Sequence, residues 1–251
     1  MSAATSVLKA LAGALALLAV WFFLSYFAIV PGIFLPSPSQ AFQAIAFGWT
    51  DGDLPEQTSA TLLRMIEGWL LSSFAGVLVG SAVGISPAAR AYLSPTLEFL
   101  RPLPASAIIP VAIAVFGLTP EMVLGAVVFG SVWPTLLATV HGFAGIDPRL
   151  REVSQILRLS SLQFVVKIGL PNALPDILSG MRVSMTVAFI VTIVGEMITG
   201  QSGLGSAILL AGRSFQSSDL FAGLVLLGAL GVISNVLLKS AERRLLRWQT
   251  N

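Results

Sequence analysis

The sequence predicts an all-α membrane protein with six transmembrane helices. Hydrophobic residues fill 55% of the 251 positions and charged residues only 10%, where a soluble domain carries about a quarter charged. The mean hydropathy is +0.89. The apolar residues fall in long blocks, several near the roughly 20 residues that cross a bilayer. These observations exclude a disordered chain, a nucleic-acid-binding domain and an ordinary cytosolic enzyme. There is no Cys, and His141 is the one His. Thiol chemistry, a Cys-ligated or His-rich metal site and any mechanism using two imidazoles are therefore excluded, and no metal site is expected.

The first block, about Leu8 to Val30, is too long for a signal-peptide core of roughly 7–15 residues and is followed by Pro31-Gly32 rather than a small-residue cleavage site. It is expected to be a retained helix. Residues 31–60 are acidic, and their Pro and Gly residues break any long helix. The second block runs from about Leu62 to Ile85, with Gly68, Gly76, Gly80 and Gly84 on one face, a spacing that suits close helix packing in lipid. The third, about Leu97 to Leu118, contains Pro102, Pro104 and Pro110; breaks at membrane depth are tolerated where protein or a water-filled path surrounds them. Gly117 to Pro120 is a tight turn. The fourth block runs from about Met122 to Val140, with Pro134 inside it, the fifth from Met181 to Thr199, and the sixth from Leu220 to Leu238. Residues 200–218 form a Gly/Ser-rich loop.

Placing the amino terminus inside puts 12 Lys and Arg in inside segments and leaves Arg64 and Arg213 outside. This asymmetry sets both termini and the 141–180 segment in the cytoplasm. Within that segment, a helix taken over Arg149 to Ile168 places Leu150, Val153, Ile156 and Leu157 on one apolar stripe. Such a helix lies on the membrane surface or docks on a soluble partner. Pro171 and Pro175 are expected to stop it and turn the chain back to the bilayer.

Glu152-Val153-Ser154 followed by Ile168-Gly169-Leu170-Pro171 resembles the EAA loop of ABC importer permeases. Glu152, Ile168, Leu170 and Pro171 sit at the family offsets; Val153 and Ser154 replace two alanines, and Arg158 stands where the family has glycine. Leu100 to Pro104 with Ile109-Pro110 and Phe116-Gly117, Thr61 to Arg64 with Gly68, Gly142 to Arg151, Gly195 to Ile198 with Gly203 to Gly205, and Glu242 to Arg244 with Trp248 resemble the nitrate/sulfonate/taurine subgroup. The resemblance covers about residues 60–250.

It implies a type I importer permease fold with a cytoplasmic coupling helix. Residues 1–60 would hold the first helix and a periplasmic connection, and 61–251 the permease core of five helices with the EAA loop at about 141–180. The chain lacks a phosphate-loop motif, so it would be no enzyme and carry no cofactor, with ATP and Mg bound by separate cytoplasmic ATP-binding subunits. Arg151, Glu152, Ser154, Gln155, Arg158, Leu170 and Pro171 would couple to that subunit. A periplasmic or lipid-anchored substrate-binding protein would deliver the cargo, and a second permease subunit would complete a homodimer in the lipid of a bacterial inner membrane. The cargo implied is a small anion such as a sulfonate, taurine or nitrate; a vitamin precursor is the alternative within the same role.

Pro104, Pro110, Met185, Glu196 and Met197 are candidates for the translocation path or gate. Glu196 is an acidic residue deep in a span, which points either to the path or to a pairing with a neighbouring helix. Arg182 is expected to snorkel, and Arg64 to pair with Glu67 three residues on. A channel or secondary transporter would want paired broken helices or a charge relay. A serine protease on His141 is disfavoured because Ser131 lies about 15 Å away along the same helix.

Overall fold

The computed structural model describes residues 3–100 and 104–246. Arg101, Pro102 and Leu103, the tail residues Arg247 and Trp248, and the side chain of Lys9 lie outside the described residues. All regular structure among the described residues is helical: α1 (Ala3–Tyr26), α2 (Pro38–Thr50), α3 (Leu54–Ile85), α4 (Pro87–Leu100), α5 (Ala105–Phe116), α6 (Pro120–Ala144), α7 (Pro148–Ile156), α8 (Ser161–Phe164) running into a π-helical turn (Val165–Gly169), α9 (Leu170–Thr199), α10 (Leu204–Arg213) and α11 (Ser217–Leu245).

Local chemistry explains the starts. Ser37 and Gln40 form a reciprocal capping box at α2, and Ser160 and Gln163 form one at α8. Thr119 accepts from the Met122 amide at α6, and Asp147 from the Arg149 amide at α7, each followed by Pro in the first turn. These side chains satisfy amides that the first turn leaves without partners. Four helical segments are long and apolar enough to span a bilayer: 54–85, 120–144, 161–199 and 217–245, with shorter apolar stretches at 12–26, 107–116 and 204–213.

The core is a three-helix seam of α3, α6 and α9. The stripe Gly68, Gly76, Gly80 and Gly84 meets Val127, Thr135, Thr139 and Phe143 in rising order, so α3 and α6 run parallel. A Cβ on Gly80 would stand 2.6 Å from the Thr139 Cβ and 2.8 Å from the Leu136 carbonyl oxygen, so only glycine lets the backbones approach this closely. Helix α9 runs antiparallel to both. Gly180 lies against Ala138 and Gly195 against Val123, while Ser184 Oγ donates to the Ser131 carbonyl at 2.5 Å and Trp69 Nε1 to the Met181 carbonyl at 2.9 Å. The Ser184 hydroxyl and the Trp69 indole, in leaving water, each find a backbone acceptor, whereas the buried hydroxyls of Ser73, Ser81, Thr135 and Thr192 make no hydrogen bond within the chain.

Several expectations are corrected. The 31–60 segment contains α2 and the first turns of α3, which begins at Leu54 rather than Leu62, with Pro55 in its first turn where a missing N–H costs nothing. The third span is divided into α4 and α5. The 200–218 segment contains α10. The helix taken over 149–168 ends at Ile156, and Pro171 and Pro175 do not stop a helix: Pro171 opens α9, and Pro175 lies within it. The preceding π turn supplies the room, since the Leu170 amide reaches back to the Val165 carbonyl across one extra residue.

Candidate coupling site

Helix α7 is held by one face. The half-buried Arg151 donates from Nη2 to the Phe143 carbonyl at 2.8 Å, and the buried Ser154 Oγ donates to the Arg151 carbonyl at 2.6 Å. The opposite face is open. Glu152, Val153, Gln155, Ile156, Leu157 and Arg158 are exposed, Ile156 at 79% and Leu157 at 64%. The apolar stripe read from the sequence thus points away from the protein's own bundle. A second apolar side chain, Leu162, is 73% exposed just beyond.

The end of α7 is a Schellman motif. The Leu159 amide donates to the Ser154 carbonyl and the Arg158 amide to the Gln155 carbonyl, both at 3.0 Å, and Arg158 takes the left-handed conformation at φ +47°. Arginine therefore occupies the position that favours glycine without abolishing the turn.

Phe143 connects this helix to the seam. It is fully buried among Ile146, Phe164, Ala173 and Ile177, with Leu170 and Ile168 packed at the edge. Its Cβ faces Gly84 of α3, and its ring faces Gly169 of the π turn, where an added Cβ would stand 2.7 Å from the ring's Cζ. Pro171 is exposed. The seven coupling residues therefore divide: Glu152, Gln155, Arg158 and Pro171 present surface, while Arg151, Ser154 and Leu170 position the helix. Phe143 escaped the sequence reading, and Gly84 and Gly169 entered it only as part of a packing stripe and of the motif, not as its contacts. The signal available was Gly169 between Ile168 and Leu170, a small residue next to the motif's apolar pair. Arg151→Ala removes the tether to Phe143 and is expected to lower transport severalfold while ATP hydrolysis by the assembled system persists, measured side by side in vesicles.

The five path candidates are not brought together. Pro104 and Pro110 are exposed on α5, Met185 packs with the core around Met65 and Val127, and Met197 packs beneath α10. Glu196 is fully buried and forms an ion pair with Arg64, not with any group on the path candidates. Arg64 thus turns from Glu67, which is exposed, to α9. The Glu196 carboxylate also accepts from Thr61 Oγ1 and the Gly205 amide, each at 3.0 Å, while Thr61 Oγ1 accepts from the Leu204 amide at 2.9 Å. The cluster therefore caps α10 and ties it to α3 and α9. Arg182, expected to snorkel, pairs instead with Glu242 of α11.

A groove of about 830 Å³ lies between α4, α6 and α9, and Arg90, Glu98, His141 and Asp176 line it with Trp133 and Val183. No group of His, Asp or Glu able to hold a metal ion occurs among the described residues.

The fold and this arrangement define a class: a multi-pass helical membrane protein with a short helix keyed into its span bundle by one face and open on the other. Residues 72–247 match the family described as binding-protein-dependent transport system inner membrane component, and the chain belongs to that family. It is a permease component in the inner membrane, not an enzyme of its own, and works with a substrate-binding protein and an ATP-binding subunit. It is 29% identical to a Bacillus subtilis (strain 168) permease named for aliphatic sulfonate transport, SsuC, over 94% of this chain and 85% of that one. It is 27% identical to the taurine transport system permease protein TauC of Escherichia coli (strain K12), over 92% and 86%. Among solved structures, a chain of the inward-facing MetNI methionine ABC transporter superposes with a TM-score of 0.63 at 21% identity, over 77% of this chain and 94% of that one. That likeness establishes the type I permease fold.

Proposed function

We propose that this chain forms the translocation path of an ATP-driven importer, with α7 seated in a groove of a separate ATP-binding subunit. The observation that carries it is the open face of α7. Ile156, Leu157, Val153 and Glu152 project from a helix whose other face is fixed by Arg151 and Ser154. An amphipathic helix with its apolar side outward fits a partner's groove. ATP and Mg are bound by that subunit and not by this chain.

Both termini lie in the cytoplasm. The parallel course of α3 and α6 and the antiparallel course of α9 suit the Lys/Arg distribution, which puts α7 inside and the Glu196 cluster outside. A second copy of the permease covers the groove between α4, α6 and α9. Four ionisable side chains there are unsuited to lipid, and a two-fold partner turns the groove into half of a path. The cargo is a small anion of the sulfonate, taurine or nitrate kind, in keeping with the names of the relatives, and selectivity rests with the binding protein outside.

Co-purification from native membranes in mild detergent tests the docking. The ATP-binding subunit is expected to accompany the parent chain and to be lost on Glu152→Lys, with the permease itself still folded. Recovery of the chain alone, with uptake intact in vesicles lacking ATP, overturns the reading in favour of a channel or secondary transporter.

A further inference from the structure

Among the described residues, three helices end in Schellman motifs without glycine at the left-handed residue: Ala28 after α1, Arg158 after α7 and Phe215 after α10. Every L side chain is disfavoured there, so the residue chosen carries information. Ala28 has the smallest side chain that still bears a Cβ, and Phe215 is an apolar group at the outer end of α10. Arg158 is the charged member and the one beside the coupling helix. Its side chain is exposed, and among the described residues the ion pairs are Arg64–Glu196 and Arg182–Glu242, so no carboxylate of this chain engages it. The turn itself is made by the backbone, through the amides of Arg158 and Leu159. The guanidinium contributes nothing to that geometry, and Arg158 follows directly in sequence on the exposed Ile156 and Leu157.

We propose that Arg158 is a partner-matching residue, whose guanidinium meets an acidic side chain on the rim of the groove that receives α7. The inference rests on the docking of α7 proposed above and adds which charge the partner carries and where. Its position suits that role. A charge at the rim of an apolar contact sets register and partner choice more than raw affinity, and the left-handed residue projects its side chain off the helix end rather than along its face. Arg149 and Lys167 are also exposed cations of this segment, but Arg149 sits in regular helix and Lys167 in the π turn, both with negative φ, so neither carries the left-handed cost that marks Arg158. An anionic lipid surface would attract all three alike.

The test uses the full permease co-expressed with its own ATP-binding subunit, isolated in mild detergent across a salt series. Arg158→Gly is expected to weaken retention of the subunit about fivefold, the scale of one exposed charge pair, and to flatten its salt dependence. Arg158→Lys should keep most of the retention, and Arg158→Glu should fall below the glycine variant. Arg149→Gln should match the parent. The melting temperature of the Arg158→Gly permease should equal or exceed the parent's, which separates lost recognition from lost folding. Unchanged retention in both Arg158→Gly and Arg158→Glu overturns this proposal alone, provided Glu152→Lys still releases the subunit. An equal loss in Arg149→Gln overturns it in favour of a general basic surface. A parent chain that retains no ATP-binding subunit overturns the importer reading and this proposal with it.

Discussion

Arg64→Ala is expected to destabilise the permease by about 3–5 kcal/mol, the cost of leaving a buried charge without its partner. The asymmetry of the pair sets this size. Glu196 has no solvent exposure, while the Arg64 side chain keeps 16%. Removing the arginine strands a carboxylate with only Thr61 and the Gly205 amide to hold it. Glu196→Gln keeps the shape and leaves a cation with some access to water, so it should cost less. It also loses the charge-assisted cap on α10, a further contribution of about 1 kcal/mol. An apolar double variant, Arg64→Met with Glu196→Leu, should recover part of the loss, since a buried pair as a whole is worth far less than either half removed alone. Thermal unfolding in detergent, followed by tryptophan fluorescence, ranks the variants; equal melting of Arg64→Ala and parent would show that the pair holds nothing together.

The second large effect is at the other end of the molecule. Gly169→Ala drives a methyl group into the Phe143 ring, and overpacking of this kind costs about 1–3 kcal/mol. The functional loss should exceed the stability loss, because Phe143 also carries the carbonyl that anchors Arg151. Uptake in vesicles is expected to fall at least severalfold while the permease remains folded. Phe143→Leu in the Gly169→Ala background should restore uptake in part by returning volume to the site. No rescue, with both single variants impaired, would place the defect outside this contact.

The long spans were legible because apolar composition acts over tens of residues. The motif spacing of Glu152, Leu170 and Pro171 was readable because it is local. What escaped were pairings distant in sequence. Arg64 has a carboxylate three residues away, yet its partner is Glu196 on another helix, since a buried carboxylate needs a cation more than an exposed one does. The two prolines at 171 and 175 read as a stop, but a π turn just before them absorbs the first. The apolar stripe on α7 was visible; which way it faces was not, because periodicity fixes a face and only packing fixes its direction.

The glycine contacts along α3, α6 and α9 have a mechanical consequence. At these contacts a glycine backbone lies against its neighbour's backbone or the first atoms of its side chain, which leaves little soft material to compress, and protein interiors are stiff to begin with. The three helices act as a strut. One end carries Phe143, gripped by Gly84 and Gly169 and tethered to Arg151. The other end carries the Arg64–Glu196 pair and, through it, α10. Along α6 the strut is about 37 Å long, so a tilt imposed at α7 reaches the far end as displacement instead of being lost as local strain. The compliant joint is then the turn at Arg158, outside the seam.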